Sequence, residues 1–177
     1  MAQASLTIDL DAIAANWRAL DALSTPQVET GAVVKADAYG LGATRVGPAL
    51  ARAGARSFFV AQAEEGVALR AHLGPGPRIF VFSGHMAGDA PALRGADLIP
   101  LLNGPEQSKR HRDSCPDHTY GWQINTGMNR LGAEPAELAE MEIGAAPVLT
   151  ISHLACADTP QDGANRAQQN LFEAASS

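Results

Sequence analysis

The sequence predicts an α/β chain built on parallel strands, and three observations carry that prediction. Short, near-continuous apolar runs recur along the chain, as in strands buried on both faces. Amphipathic stretches at helical spacing lie between them. Each run with its following stretch takes up about 20 to 30 residues, the size of one β/α unit.

The elements follow in order. A helix is expected over Asp11 to Leu23, where Ile13, Trp17, Leu20 and Leu23 recur at helical spacing and Asp9 or Asp11 can cap the start. Ala32-Val33-Val34-Lys35 reads as the first strand, followed by a helix over Ala43 to Ala53. Phe58 to Ala61 and Arg78 to Phe82 read as strands on either side of a helix over Ala63 to His72. A short helix near Ala90 to Arg94 leads to the apolar run Leu98 to Leu102. Helices over Pro105 to Arg112 and Pro135 to Glu142 each open with a proline, which suits a first helical turn. Strands are expected over Thr119 to Ile124 and Val148 to His153, and a last helix runs from near Gly163 to the C-terminus. Gly54 and Gly74 stand where helices would stop.

Six such units without a dinucleotide fingerprint fit either an open doubly wound sheet or a (β/α)₈ barrel cut short. The barrel needs eight strands and typically ~250 residues. The chain has 177 residues and ends inside the helical pattern Gln168 to Ser177, as a fragment would. Hydrophobic residues make up 46% and charged residues 18%, which argues against a disordered tail. The net charge of −6 lacks the basic excess of a nucleic-acid binder. No apolar run reaches the ~18 to 20 residues that span a bilayer. Met1 to Leu10 lacks the basic and apolar regions of a secretory signal. Cys115 and Cys156 lie far apart, without metal-ligand spacing, which fits a cytoplasmic protein.

Lys35 stands at the C-terminal end of a buried parallel strand, where α/β proteins build their active sites. A partly buried amine there attacks aldehydes; a strand-end lysine by itself more often reaches solvent. Tyr39 follows in a Gly-rich turn, whose hydroxyl and Gly40 and Gly42 N–H groups are candidate phosphate donors. Arg130, in Gly127-Met128-Asn129-Arg130-Leu131-Gly132, can hydrogen-bond an anionic oxygen. His153, at a strand end, can stack on a ring or move a proton, although a lone histidine there is more often a packing residue. His72, His85, His111 and His118 lack helical metal-ligand spacing, so no metal site is expected. Glu64 and Glu65 read as complements of a helix dipole, Trp17 and Trp122 as packing residues, and Cys156 as a small buried hydrophobe.

Together these segments resemble the alanine racemase family. The matching stretches are Leu6 to Ile13 with Asn16, Val33-Val34-Lys35-Ala36-Asp37-Ala38-Tyr39-Gly40-Leu41-Gly42, and Ala63-Glu64-Glu65-Gly66 to Leu69-Arg70. Asn125 to Gly132, Ser152 to Asp158, and Asn165 with Gln168 complete the match, in order along essentially the whole chain.

The resemblance implies a pyridoxal 5′-phosphate (PLP)-dependent (β/α)₈ TIM-type barrel. Residues 1–177 would be its incomplete N-terminal barrel domain, about six of eight β/α units, and the C-terminal β domain would be absent from this chain. It implies that Lys35 holds PLP and serves as one of two bases at the substrate Cα. Tyr39 would be a phosphate ligand, Arg130 would bond the PLP phenolic oxygen, and His153 would lie against the pyridine ring. The second base would be a tyrosine beyond Ser177, supplied by the partner subunit of a homodimer. The implied reaction interconverts L-alanine and D-alanine for peptidoglycan. Relatives that act on serine or on a broader range of amino acids share the same barrel motifs. Single-domain PLP-binding barrels without catalysis are a further alternative, but they do not usually carry the Asp37 to Gly42 continuation. Gln123 stands where many members have a lysine, and can hydrogen-bond Arg130; Asn125 stands where Asp is usual. With open sheet edges, the 177-residue piece alone is expected to be marginally folded and catalytically silent.

Overall fold

The computed structural model describes residues 4–141 and 144–176. Met1 to Gln3, Glu142 and Ser177, named in the expectations above, lie outside the described residues. The chain divides into two compact units, Met1–Val81 and Phe82–Ser177.

In the first unit, helix α1 (Leu10–Asp21) is capped by Asp9, whose Oδ1 accepts from the Asp11 and Ala12 N–H groups at 3.0 Å. Strand β1 (Ala32–Val33) pairs in parallel with β2 (Ser57–Val60), and β2 pairs in parallel with β3 (Arg78–Val81). Helices α3 (Ala43–Ala53) and α4 (Ala63–Leu73) fill the crossovers, and α2 (Lys35–Tyr39) is a single turn between β1 and α3. Phe58, Val60, Ile79, Phe80 and Val81 are almost completely buried, as expected for strands covered on both faces. β1 departs from that expectation, because Val33 is 42% exposed. Gly47 lets α3 approach α4: a Cβ there would lie 2.6 Å from Leu69 Cδ1. Gly54 and Gly74 are C-caps, as their positions predict. Trp17 packs over Gly54 and its Nε1 donates to Thr30 O at 3.3 Å.

In the second unit, β4 (Ile99–Leu102) pairs in parallel with β5 (Gly121–Gln123), and β5 with β6 (Thr150–Ile151). Helices α5 (Ala90–Gly95), α6 (Pro105–Ser114) and α7 (Gly163–Ser176) accompany them. β4 is buried at every position, and Leu102, Tyr120, Ala133 and Met141 form a core cluster with Trp122 and Leu138 packed against it. β5 and β6 are shorter than the sequence predicts, although single ladder bonds run past their ends, from Val148 N to Tyr120 O and from Ile124 N to Ile151 O. Pro135–Met141 winds as a 3₁₀ helix and not the expected α-helix. Cys156 is half-buried, not buried, and both cysteines are free thiols.

A histidine pair lies in this unit's interior. His85 Nδ1 and His111 Nδ1 are 3.1 Å apart, and both residues are buried. His111 Nε2 lies 2.9 Å from His118 O, a carbonyl that only accepts, so the neutral ring carries its proton on Nε2. His111 Nδ1 is then the acceptor and His85 Nδ1–H the donor. Burial, with positive potential from His111 and Arg110, lowers the His85 pKa from 6.5 to about 4, and burial also lowers that of His111. The unfolded chain therefore binds these protons more readily than the folded one. Stability is expected to be flat above pH 6.5 and to fall steadily as pH drops from 6.5 towards 4, read as the urea midpoint at each pH. A midpoint constant across that window would contradict this.

No described helix is long and apolar enough to cross a membrane.

Candidate active site

The strand that carries Lys35 ends two residues early, at Val33, and Lys35 opens the turn α2 instead of closing the strand. That turn is left-handed. Ala36, Asp37 and Ala38 have φ/ψ of 50/48°, 53/48° and 53/47°, and Tyr39 has φ 56°. Ala38 N donates to Val34 O and Gly40 N to Ala36 O, both at 2.9 Å, which closes one full turn. Residues with a Cβ disfavour this conformation by roughly 1–2 kcal/mol each, so tertiary bonds must hold it. Asp37 supplies one: its Oδ1 accepts from Ala43 N at 2.7 Å and caps α3. Glu65 supplies another: Oε1 accepts from Ala36 N at 2.8 Å, while Oε2 accepts from Ala61 N at 2.6 Å. Reading Glu65 only as a complement of the helix dipole missed this bond.

Lys35 is half-buried and Tyr39, one turn later, is 63% exposed. The glycines after Tyr39 do not offer the phosphate donors expected of them. Gly40 N–H is bonded to Ala36 O and Gly42 N–H to Asp37 O, both at 2.9 Å, because the left-handed turn needs them. The hydroxyl of Tyr39 is what remains of that expectation. Gly40 has φ +82°, and a Cβ at this position would meet nothing within 4 Å, so space is not the constraint there. Gly40→Ala is expected to destabilise by about 1 kcal/mol from backbone conformation alone, read in urea unfolding.

The second unit holds Arg130 and His153 around one hollow, with Gln123, Asn125, Met128 and Ser152. The Arg130 loop closes on itself: Asn125 N donates to Ala133 O at 2.8 Å and Ala133 N to Gln123 O at 2.9 Å. Inside it, Asn125 uses all its polar capacity. Oδ1 accepts from Gly127 N and Asn129 N, at 3.1 and 3.0 Å, and Nδ2 donates to Asn129 Oδ1 and Glu134 Oε1, at 2.9 and 2.6 Å. A carboxylate at 125 would face two acceptors, so the Asn at this position matches its partner Glu134. The loop presents Arg130 at the surface.

His153 follows β6 by two residues and is exposed, not packed. Buried Gln168 on α7 holds its segment: Nε2 donates to His153 O at 2.9 Å and Thr126 Oγ1 at 3.1 Å, and Oε1 accepts from Ala155 N at 2.9 Å. Ser152 Oγ lies 2.6 Å from Thr126 Oγ1 and donates to Ile124 O at 2.8 Å. The expected bond from Gln123 to Arg130 is not made; Gln123 Oε1 is buried with no hydrogen-bond partner among the described residues. Lys35 and Tyr39 are thus brought together on one turn of the first unit, and Arg130 and His153 around one hollow of the second. Among the described residues no group of three or more His, Cys, Asp or Glu side chains is arranged to hold a metal.

Comparison with known proteins gives a consistent result. The family described as "Alanine racemase, N-terminal domain" matches residues 8–177. The alanine racemase of Dinoroseobacter shibae is 61% identical over 175 residues, covering 97% of this chain and 50% of that protein. The alanine racemase of Cereibacter sphaeroides is 56% identical over 177 residues, covering 98% of this chain and 51% of that protein. The crystal structure of alanine racemase from Bartonella henselae, with covalently bound pyridoxal phosphate, matches with a TM-score of 0.87 at 34% identity, covering 95% of this chain and 49% of that one. The chain spans about half the length of the curated relatives it matches. The fold class is the one expected from the sequence, the N-terminal part of a (β/α)₈ barrel.

Proposed function

Because the chain belongs to the alanine racemase family, as its N-terminal domain, we propose that it holds PLP on Lys35 and takes part in the interconversion of L-alanine and D-alanine. The observation that carries this reading is Lys35 at the head of a strained turn just past a parallel strand, in a segment that matches the family throughout.

The donor set fits the group. Lys35 offers a primary amine to an aldehyde, Tyr39 a phenol to a phosphate, Arg130 a guanidinium to a phenolate oxygen, and His153 an imidazole face to an aromatic ring. Gln123 Oε1, buried and without a hydrogen-bond partner among the described residues, leaves one acceptor unsatisfied in the hollow that Arg130 also lines. PLP supplies, when bound, the electron sink that lets a proton leave the Cα of an amino acid.

The chain's own residues do the rest. Lys35 would hold the cofactor through its amine, and the same amine would take or return the proton at Cα from one face. Inversion needs a second base on the opposite face. Tyr120 does not qualify, since it is buried and its hydroxyl bonds Ala145 O. The second base is proposed to come from the part of the relatives' length that this chain does not span, carried by the partner subunit of a cytoplasmic homodimer.

A coupled assay of the native gene product tests the reading. Conversion of L-alanine to D-alanine that requires PLP is expected. A product that takes up PLP yet leaves L-alanine unchanged would overturn it in favour of a binding-only barrel. Faster turnover of serine than of alanine would overturn the substrate assignment.

A further inference from the structure

We propose that Glu65 is the positioning residue for Lys35, its carboxylate fastening the left-handed turn that sets where the lysine stands. The inference rests on the assignment of PLP to Lys35 and deepens it.

Glu65 sits at the third position of α4, in a capping box with Gln62. A capping box needs only one carboxylate oxygen, and Oε2 meets that need, accepting from Ala61 N at 2.6 Å and Gln62 N at 3.4 Å. Oε1 does something a cap does not require. It reaches back 29 residues to accept from Ala36 N at 2.8 Å. Ala36 directly follows Lys35 and is the first residue of the left-handed run, with φ 50°. An alanine has no polar side chain with which to stabilise that conformation locally, so an external acceptor on its N–H is what keeps it there. The helix N-terminus favours the negative charge that accepts on both sides. Freed from Glu65, Ala36 relaxes towards the right-handed or extended regions, and the lysine next to it swings with the backbone.

The test uses the chain's own lysines. The sequence has two, Lys35 and Lys109, and Lys109 is exposed on α6, ion-paired to Asp113. The native protein is incubated with PLP, reduced with borohydride, and mapped by mass spectrometry for phosphopyridoxyl groups on each lysine. Labelling centred on Lys35 in the unsubstituted protein is the premise; its absence would overturn the PLP assignment itself and this inference with it. Given that labelling, Glu65→Ala is expected to lower the Lys35-to-Lys109 ratio about tenfold, as for loss of a charged hydrogen bond. Glu65→Gln keeps one acceptor oxygen and is expected to fall in between. Adding Ala36→Gly to Glu65→Ala removes the Cβ that resists the left-handed region and is expected to restore part of the labelling. Glu65 serving only as a cap for α4 would lower thermal stability in both Glu65 variants but leave the ratio unchanged and give Ala36→Gly nothing to rescue. That result would overturn the proposal.

Discussion

Lys35→Ala is expected to reduce conversion of L-alanine to D-alanine by the native gene product at least ~10³-fold, with far-UV circular dichroism unchanged. The size of the effect follows from the two roles proposed for this amine: without it the cofactor would have no covalent anchor, and one face of the substrate Cα would have no base. Lys35→Arg is expected to fail as completely, because a guanidinium stays protonated and can neither attack an aldehyde nor accept a proton. The pair of variants separates charge from chemistry. Retained activity in Lys35→Arg would mean the residue acts only as a cation.

Gly132→Ala is expected to be strongly destabilising, at about 4 kcal/mol in urea unfolding. A Cβ at Gly132 would lie 2.6 Å from Asn125 N, 2.7 Å from Ile124 C and 3.1 Å from Gln123 O. All three are backbone atoms at the end of β5, where a flexible side chain cannot give way. The residue also has φ +105°, which a side chain disfavours on its own account. The contrast with Gly40 is the informative part. Both glycines have positive φ, yet only Gly132 faces a packed backbone, so the two alanine variants should differ by several-fold in free energy. The close approach is what lets Ala133 return to bond Gln123 O and Asn125 N, closing the loop that presents Arg130. Gly132→Ala is therefore expected to open that loop as well as destabilise the unit. Equal losses for the two variants would contradict the packing argument.

The β/α alternation was legible in the sequence because it depends on local apolar runs. Phe58 to Val60 and Ile99 to Leu102 lie within the predicted strands, and Pro105 opens α6 as its fixed φ requires. Strand ends were less legible. β6 is half-exposed, so little hydrophobic pattern marks where its ladder stops. The 3₁₀ winding of Pro135–Met141 was not predicted either, since periodicity over seven residues does not separate 3₁₀ from α.

The site was legible as residue types and motif order, but not as conformation. Nothing in Ala36-Asp37-Ala38-Tyr39 marks a left-handed turn; its intrinsic preference runs the other way, and bonds from Asp37 and Glu65 override it. Glu65 reads from the sequence as a complement of the helix dipole, and nothing local marks that one of its oxygens reaches Ala36. The expected phosphate contacts of Gly40 and Gly42 failed for the same reason, because a left-handed turn consumes their N–H groups. His85 and His111 meet across 26 residues of sequence, a contact that only the fold creates.

The most direct test of the central claim is where PLP attaches. The native protein is treated with PLP, reduced with borohydride, digested and mapped. A phosphopyridoxyl mass concentrated on the peptide containing Lys35 is the predicted result. Label on Lys109 or the N-terminus with Lys35 unmodified would contradict the assignment of Lys35 as the cofactor-bearing lysine.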